Sequence, residues 1–142
     1  MKETNSNTYL QWLREQFEDS PFWQHMGMSI EKLEPGDVIV KMPVKGELVN
    51  SNGMLHGGAL TSILDTIGAV VIRSEREVRV ATVSLTTQFV APVTEGALHA
   101  SAKIVNPGRR TVFVEAKVVN DSGDIISTAI GTYAIIGNLE SK

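Results

Sequence analysis

The residue best suited to chemistry is Asp65, which lies inside a long apolar segment. Residues 57–72 have helical spacing, and Asp65 is their only charged member. At 100° per residue the larger aliphatic side chains form one wide stripe, and Asp65 lies on the opposite flank. That flank is small and nearly uncharged: Thr61, Ser62, Ala69 and Ile72. The sequence therefore predicts that a second protein surface covers a carboxylate that takes part in catalysis. The alternative is a carboxylate that bonds structurally to nearby hydroxyls or faces solvent.

A pair of glycines, Gly57-Gly58, follows His56 at the start of the same segment. Backbone N–H groups at a helix start, aided by the helix dipole, can hold an oxyanion or a phosphate. Glycine also lets a ligand approach the backbone closely. The alternative is that the pair only marks a turn, and no GxGxxG or Walker pattern surrounds it. The pair is thus a candidate oxyanion site without support for a nucleotide-binding fold.

The spacing between these two features predicts how they are used. Gly57 and Asp65 are separated by eight residues, or about 12 Å along a helix axis. A general base and an oxyanion donor must each lie about 3 Å from their reacting atoms. Two groups this far apart cannot easily serve one carbonyl, but Gly57 of one chain could lie beside Asp65 of another. We therefore expect a homodimer with paired sites at its interface.

Periodicity around this segment predicts the elements that must position the site. Residues 8–19 form a short amphipathic helix, which Ser20-Pro21 ends or restarts. Strand patterns occupy residues 28–33, 37–44, 78–90, 98–105, 110–119 and 125–136. Short turn-like links between consecutive strands favour antiparallel pairing. The expected fold class is α+β: a long central helix wrapped by a curved antiparallel sheet of five or six strands, with a short N-terminal helix, in one domain over residues 1–142.

Composition argues against several classes of function. The chain has 20% charged residues, a net charge of −3 and no run of like charges, so a nucleic-acid-binding face and a polybasic membrane patch are not expected. The absence of cysteine excludes disulfides, thiolate catalysis and cysteine metal sites. The N-terminus lacks an apolar signal-peptide core, and no uncharged run reaches the roughly 18 residues of a membrane span. A soluble, cytoplasmic protein is therefore expected.

A longer motif surrounds the glycine pair and the aspartate. It places polar residues and glycines at fixed spacing: Asn50, Gly53, Leu55, His56, Gly57, Gly58 and Asp65. The motif is similar to the signature of hotdog-fold acyl-CoA thioesterases of the phenylacetate-pathway type, in the 4-hydroxybenzoyl-CoA thioesterase superfamily. The resemblance extends over most of the chain, including residues 82–92 and the closing strands. It implies hydrolysis of an acyl- or aryl-CoA thioester to the carboxylic acid and free CoA.

The resemblance also implies catalytic roles for five residues. Gly57 would donate its N–H to the thioester oxygen. Asp65 would act from the other chain, either as general base on water or as nucleophile. Asn50 would orient the thioester or the water, and His56 would hold the loop at the helix start and reach the thioester. Thr82 would support the nucleophilic water beside the carboxylate. In the family these sites lie at dimer interfaces, and dimers commonly pair into homotetramers.

Binding of the CoA portion is expected at two places. Arg109 and Arg110 follow a turn that often approaches the CoA phosphates in this family, and guanidinium forks suit phosphate oxygens; the alternative is two solvated charges. Gly58 is the other candidate contact. His25 and His99 have no ligand partners at metal-like spacing, so no metal is expected. No cofactor is expected either, because CoA belongs to the substrate.

Two alternatives to a thioesterase remain open from the sequence. The chain could be a non-catalytic acyl-CoA-binding or regulatory hotdog protein, although Asp65 argues against a pure binder. It could also be an enoyl-CoA hydratase or dehydratase, although the context of His56 differs from theirs. Phe17, Phe22 and Trp23 are candidates for lining the acyl pocket. The identity of the acyl or aryl group stays open.

Overall fold

The computed structural model describes residues 2–139, with side chains described from residue 7 onward. Three α-helices and six strands make up this part of the chain, together with a short 3-10 helix, Gly46–Leu48. In chain order they are α1 (Lys2–Glu18), α2 (Pro21–Met26), β1 (Ser29–Glu34), β2 (Asp37–Pro43), α3 (Gly57–Glu75), β3 (Val78–Phe89), β4 (Ala97–Pro107), β5 (Thr111–Val119) and β6 (Ile125–Asn138).

The six strands form one sheet in the order β1-β2-β4-β5-β6-β3, and every neighbouring pair is antiparallel. Strand β5 shows why the sheet has one buried face, because Val112, Val114, Ala116 and Val118 are buried while the residues between them are exposed. The buried face packs against α3, which is the centre of the core. The α+β fold expected from the sequence is therefore confirmed.

The apolar character of α3 follows from its surroundings. Ile63, Leu64, Ile67 and Val70 are fully buried, as the helical stripe predicts. Ile72 lies on the same flank as Asp65, seven residues along the helix, but unlike Asp65 it is fully buried. The reason is that helix α1 covers this end of α3, where the Tyr9 hydroxyl donates to the carbonyl of Arg73 at 2.8 Å. The helical wheel considers one helix and does not include a second helix that packs on its end.

The helix boundaries differ modestly from those predicted. Helix α1 begins at Lys2 rather than at residue 8, and α3 continues three residues further, to Glu75. The chain does restart at Ser20-Pro21, because the Ser20 hydroxyl accepts a hydrogen bond from the N–H of Trp23 and caps α2. No helix in residues 2–139 has the length and apolarity needed to cross a bilayer. The single domain and the cytoplasmic location stay predictions.

Strand β3 is an edge of the sheet, with β6 as its only neighbour among the described residues. Its register with β6 shifts between Thr82 and Ser84, so Val83 is an extra residue in a β-bulge. Val83 is 63% exposed. Residues 81–84 are all exposed and carry no charge. From residue 80 to residue 89 this edge lacks the charged residues that usually keep sheet edges from pairing, since Arg79 is the single charged residue of β3.

Candidate active site

The side chain of His56 bonds to the backbone of Gly58 in the first turn of α3. His56 is the N-cap residue, and its Nδ1 accepts the N–H of Gly58 at 2.8 Å. A Cβ on Gly58 would lie 3.0 Å from this same nitrogen, so glycine allows the close approach. The backbone N–H of His56 donates to Leu48 and fixes the incoming loop. His56 therefore holds the helix start, as expected, while the N–H of Gly58 is already engaged within the chain.

The N–H of Gly57 has no hydrogen-bond acceptor within the described part of the chain. It belongs to an open cleft of about 280 Å³ that Asn50, Leu60 and Phe89 also line. The ring of Phe89 lies 3.4 Å from the position that a Cβ on Gly57 would occupy. A larger residue would therefore press against Phe89 and fill the cleft. Position 57 offers one free donor at a helix N-terminus, which is the arrangement an oxyanion needs.

Asn50 shapes the loop before this helix. Its Oδ1 accepts the N–H groups of Asn52 and Met54 at 2.9 and 3.1 Å, and its own N–H donates to the carbonyl of Met54. Gly53 stands at the bend with φ of 79°, a conformation that side chains rarely adopt. The side-chain amide nitrogen Nδ2 is therefore the group of Asn50 that is left to contact a substrate at the cleft.

Asp65 and Thr82 form a hydrogen-bonded pair, whereas the resemblance implied that Thr82 supports a water beside the carboxylate. The hydroxyl of Thr82 donates to Oδ1 of Asp65 at 2.7 Å, and this contact joins the middle of α3 to the edge strand β3. Asp65 is partly buried, and Thr82 is exposed in the single chain. A carboxylate in this position can accept a proton from a molecule that approaches along the sheet edge.

Tyr133 is a site-supporting residue that the sequence analysis missed. Its hydroxyl donates to the backbone carbonyl of Asp65 at 2.8 Å, and its side chain is 1% exposed. Burial raises the pKa of the Tyr133 hydroxyl well above its usual range, and the nearby charge of Asp65 raises it further. The hydroxyl therefore keeps its proton and stays a donor. Tyr133 is the cross-strand partner of Thr82. One pair of residues therefore bonds Asp65 at both its carbonyl and its carboxylate.

The predicted site residues fall into three separate groups within one chain. Asn50, His56, Gly57 and Gly58 lie at the start of α3. Asp65 and Thr82 meet near its middle, about 12 Å along the axis from Gly57. Arg109 and Arg110 are exposed at the turn between β4 and β5. One chain alone does not bring the first two groups together.

The three aromatic candidates for the acyl pocket do not line the cleft beside Gly57. Trp23 is 3% exposed, and its indole N–H donates to the Thr66 hydroxyl at 3.0 Å. Phe17 packs on Trp23 with ring centroids 5.3 Å apart, and Phe22 is exposed. Trp23 thus joins α2 to α3 as part of the core, whereas the cleft is lined by residues such as Met54 and Val90.

His99 is less ordinary than its sequence context indicated. Its Nδ1 lies 2.7 Å from Glu31 and its Nε2 lies 2.8 Å from Asp121. These two contacts link β4 to β1 and to the turn before β6. Hydrogen bonds to Asp121 and then to Glu31 raise the pKa of His99. No local spacing signals this cluster, because its members are far apart in sequence.

Comparison with known proteins assigns the chain to a family. A model of the thioesterase superfamily matches residues 52–127, which is more than half of the chain. The chain belongs to the thioesterase superfamily. The match includes Gly57, Asp65 and Thr82, and it supports thioester hydrolysis as the activity class.

Individual relatives agree with this assignment. The acyl-coenzyme A thioesterase PaaI of Escherichia coli is 27% identical over 122 residues, covering 85% of this chain and 86% of the relative. The proofreading thioesterase EntH of Klebsiella pneumoniae is 28% identical over 115 residues, covering 80% and 84%. The structure of the E. coli PaaI protein superimposes with a TM-score of 0.86 at 24% identity, over 94% of this chain and 96% of that one. The expected hotdog-fold thioesterase is confirmed, and the chain is similar to PaaI in sequence and fold.

Proposed function

We propose that the protein hydrolyses acyl- or aryl-CoA thioesters at sites shared between two copies of the chain. The observation that carries this proposal is the separation of a free N–H on Gly57 from the hydrogen-bonded carboxylate of Asp65. Each group suits one half of a hydrolytic site, and the thioesterase family supplies the reaction class. Two relatives are named as thioesterases, and the name of one of them, an acyl-coenzyme A thioesterase, supports CoA thioesters as substrates.

The chemistry needs only the thioester and water. In the general-base route, Asp65 takes a proton from water while the oxygen adds to the thioester carbon. The negative charge that develops on the carbonyl oxygen is held by the Gly57 N–H and the helix dipole. The tetrahedral intermediate collapses, the C–S bond breaks, and the sulfur leaves with the proton as free CoA. In the nucleophile route, Asp65 attacks the carbon, CoA leaves, and water then hydrolyses the mixed anhydride.

The edge strand β3 supports a homodimer as the functional unit. Its outer backbone N–H and C=O groups face no other strand in the described chain, and residues 81–84 are uncharged. Pairing β3 with its copy in antiparallel fashion would continue the sheet and satisfy those groups. It would also lay the two α3 helices side by side in opposite directions. Gly57 of one chain would then approach Asp65 of the other.

Two further surfaces fit the substrate and a larger assembly. The guanidinium groups of Arg109 and Arg110 are candidates for the CoA phosphates, and the cleft at Gly57 is apolar enough for an acyl or aryl group. On the outer face of the sheet, a groove of about 600 Å³ exposes Ile125 and Ile130. Burial of this face between dimers would give the homotetramer.

A panel of acyl- and aryl-CoA thioesters, with release of free thiol as the readout, tests the proposal. The chain has no cysteine, so all thiol that appears comes from the substrate. Asp65→Asn is expected to lower kcat by roughly 10²–10⁴-fold with an unchanged circular dichroism spectrum. An unchanged kcat in that folded variant would remove Asp65 from the mechanism. CoA-ester binding without thiol release would favour the regulatory alternative, and enoyl-CoA turnover without thiol would favour a hydratase.

A further inference from the structure

Arg76 connects the end of α3 to the turn that carries Arg109 and Arg110. Its Nη1 donates to the carbonyl of Gly108 at 2.8 Å, and its Nη2 donates to the carbonyl of Arg109 at 3.2 Å. Arg76 is itself fixed as the C-cap residue of α3, because its N–H donates to the carbonyl of Ile72 at 3.1 Å. The fork of one guanidinium therefore holds two successive carbonyls of a turn 32 residues away.

The backbone of this turn is compact and is held from outside. A Cβ on Gly108 would collide with the carbonyl oxygen of Thr111, so the chain closes tightly at that point. The N–H of Ile135 donates to the carbonyl of Arg110 at 2.8 Å. The carbonyls of residues 108–110 thus each accept a bond from another part of the chain. The side chains of Arg109 and Arg110 stay exposed above this fixed backbone.

The charges at this turn are not balanced within the chain. Among the side chains described from residue 7 onward, no carboxylate forms an ion pair with Arg76, Arg109 or Arg110. The chain as a whole is acidic, with a net charge of −3. Bringing three guanidinium groups to one turn costs free energy through like-charge repulsion, which an anionic ligand would relieve. A phosphate is one of the anions that guanidinium forks bind with two parallel hydrogen bonds.

We infer that Arg76 is a positioning residue that presents Arg109 and Arg110 to the phosphates of the CoA substrate. This inference rests on the proposed function, since it assumes that the β4–β5 turn receives CoA. Arg76 follows Asp65 by eleven residues, or about 16 Å along the helix. In the substrate, the pantetheine arm lies between the thioester and the phosphates of CoA, so a thioester near Asp65 leaves the phosphates at a distance from it. Loss of the fork would let the turn move and would weaken binding of the phosphates without touching the reacting carbonyl.

The test compares ligands with and without the phosphates. Arg76→Gln is expected to raise the Kd for adenosine 3′,5′-bisphosphate by about three- to tenfold. It should raise KM for the best acyl-CoA of the panel by about the same factor. For the N-acetylcysteamine thioester of the same acyl group, which lacks phosphates, kcat/KM should not change. The matched control is Arg14→Gln, which removes another guanidinium bonded to a backbone carbonyl, that of Ile30, and should leave both substrates unaffected.

A double-mutant cycle separates positioning from direct contact. In the Arg109→Ala/Arg110→Ala background, Arg76→Gln should weaken bisphosphate binding no further, because there is nothing left to position. The inference is wrong if the effects of Arg76→Gln and Arg109→Ala/Arg110→Ala on bisphosphate binding are fully additive. It is also wrong if Arg76→Gln lowers kcat/KM equally for the acyl-CoA and the N-acetylcysteamine thioester, or changes neither. If Arg109→Ala/Arg110→Ala leaves bisphosphate binding unchanged, the inference is also wrong, whereas hydrolysis by Asp65 stands. Arg76→Lys provides a second variant with the charge retained, and it should lose part of the binding because it cannot donate as a planar fork.

Discussion

At the scale of single residues, Asp65 is bonded by two residues that face each other across strands β3 and β6. Thr82 bonds its carboxylate, and Tyr133 bonds its backbone carbonyl. The position of the carboxylate therefore depends on the register of the sheet as well as on the helix. Thr82 bonds Oδ1, and the second oxygen Oδ2 has no hydrogen bond among the described residues. Under the proposed function, we expect Oδ2 to be the oxygen that accepts a proton from water.

Thr82→Val is the sharpest test of this arrangement, because it replaces the hydroxyl with a methyl group of similar size. The carboxylate loses one hydrogen bond, so kcat should fall by about tenfold. The free energy of unfolding should change by less than about 1 kcal/mol, because Thr82 is exposed. Thr82→Ser keeps the donor and should retain most of the activity. Wild-type kcat in Thr82→Val would show that this bond does not support the reaction.

The motif was informative about residues that act close to their sequence neighbours. The resemblance placed His56 at the start of α3, where it is the N-cap residue, and Thr82 beside the carboxylate of Asp65, to which its hydroxyl bonds. The catalytic roles that it gave these residues stay predictions. Tyr133 and Arg76 were missed, because their contacts join residues 68 and 32 positions apart. Nothing in the local pattern of a strand tyrosine or a helix-end arginine predicts which distant carbonyl it will bond.

At the scale of elements, the packing of α3 on β6 depends on Gly68. A Cβ on Gly68 would collide with the hydroxyl of Tyr133. Gly68→Ala should therefore lower the free energy of unfolding by about 1–3 kcal/mol, measured by urea denaturation. Tyr133→Phe in the same background should recover little of the loss, because the ring carbons Cζ and Cε1 would also lie 2.5 and 2.7 Å from the added carbon. Gly46→Ala is the control, because nothing lies within 4 Å of its added carbon.

A pH-dependent contribution to stability is expected where His99 joins β4 to Glu31 and Asp121. Because the pKa of His99 is raised in the folded state, the protonated form is favoured by folding. The stabilisation is complete below the unfolded value of about 6.5 and is lost as the pH rises through the higher folded value. Urea unfolding above pH 6 should show this loss in the wild type and not in His99→Gln. His25→Gln, at an exposed histidine, should retain it.

The existence and type of most elements could be predicted, since strong periodicity marks the strands and α3. The order of the strands could not. Strands β3 and β6 are neighbours although β4 and β5 lie between them in the sequence, and this places β3 at an edge. That placement depends on which strands fit around α3, which is a property of the packed core rather than of any one segment.

At the scale of the whole molecule, the shared-site proposal makes a quantitative prediction. Asp65→Ala and Gly57→Val should each be nearly inactive as pure proteins. In a mixed dimer, one site combines the intact Gly57 of one chain with the intact Asp65 of the other. Random exchange makes half of the dimers mixed, each with one of its two sites restored, so activity should return to about a quarter of the wild-type value. Exchange verified by mass spectrometry without any return of activity would show that the sites are not shared.

The dimer itself was predicted from one distance on one helix, and the structure adds the exposed edge of β3 as its candidate interface. The acyl group was not predictable, because the cleft is built from residues of the loop before α3 and of the segment after β3. Some of those residues, such as Asn50 and Leu55, belong to the motif, but the motif does not specify how the two segments pack or how large the cleft is. The distances between these side chains, which decide the size of the cleft, are set only when the chain folds.

The bond from Gly58 to His56 has one more consequence, for the acid–base character of the helix start. Because Nδ1 of His56 accepts an N–H, a neutral imidazole must carry its proton on Nε2. The ring then offers a proton outward and has no lone pair with which to remove one. Under the proposed function, deprotonation of water would therefore fall to the carboxylate of Asp65, and His56 and Gly57 would supply only hydrogen-bond donors.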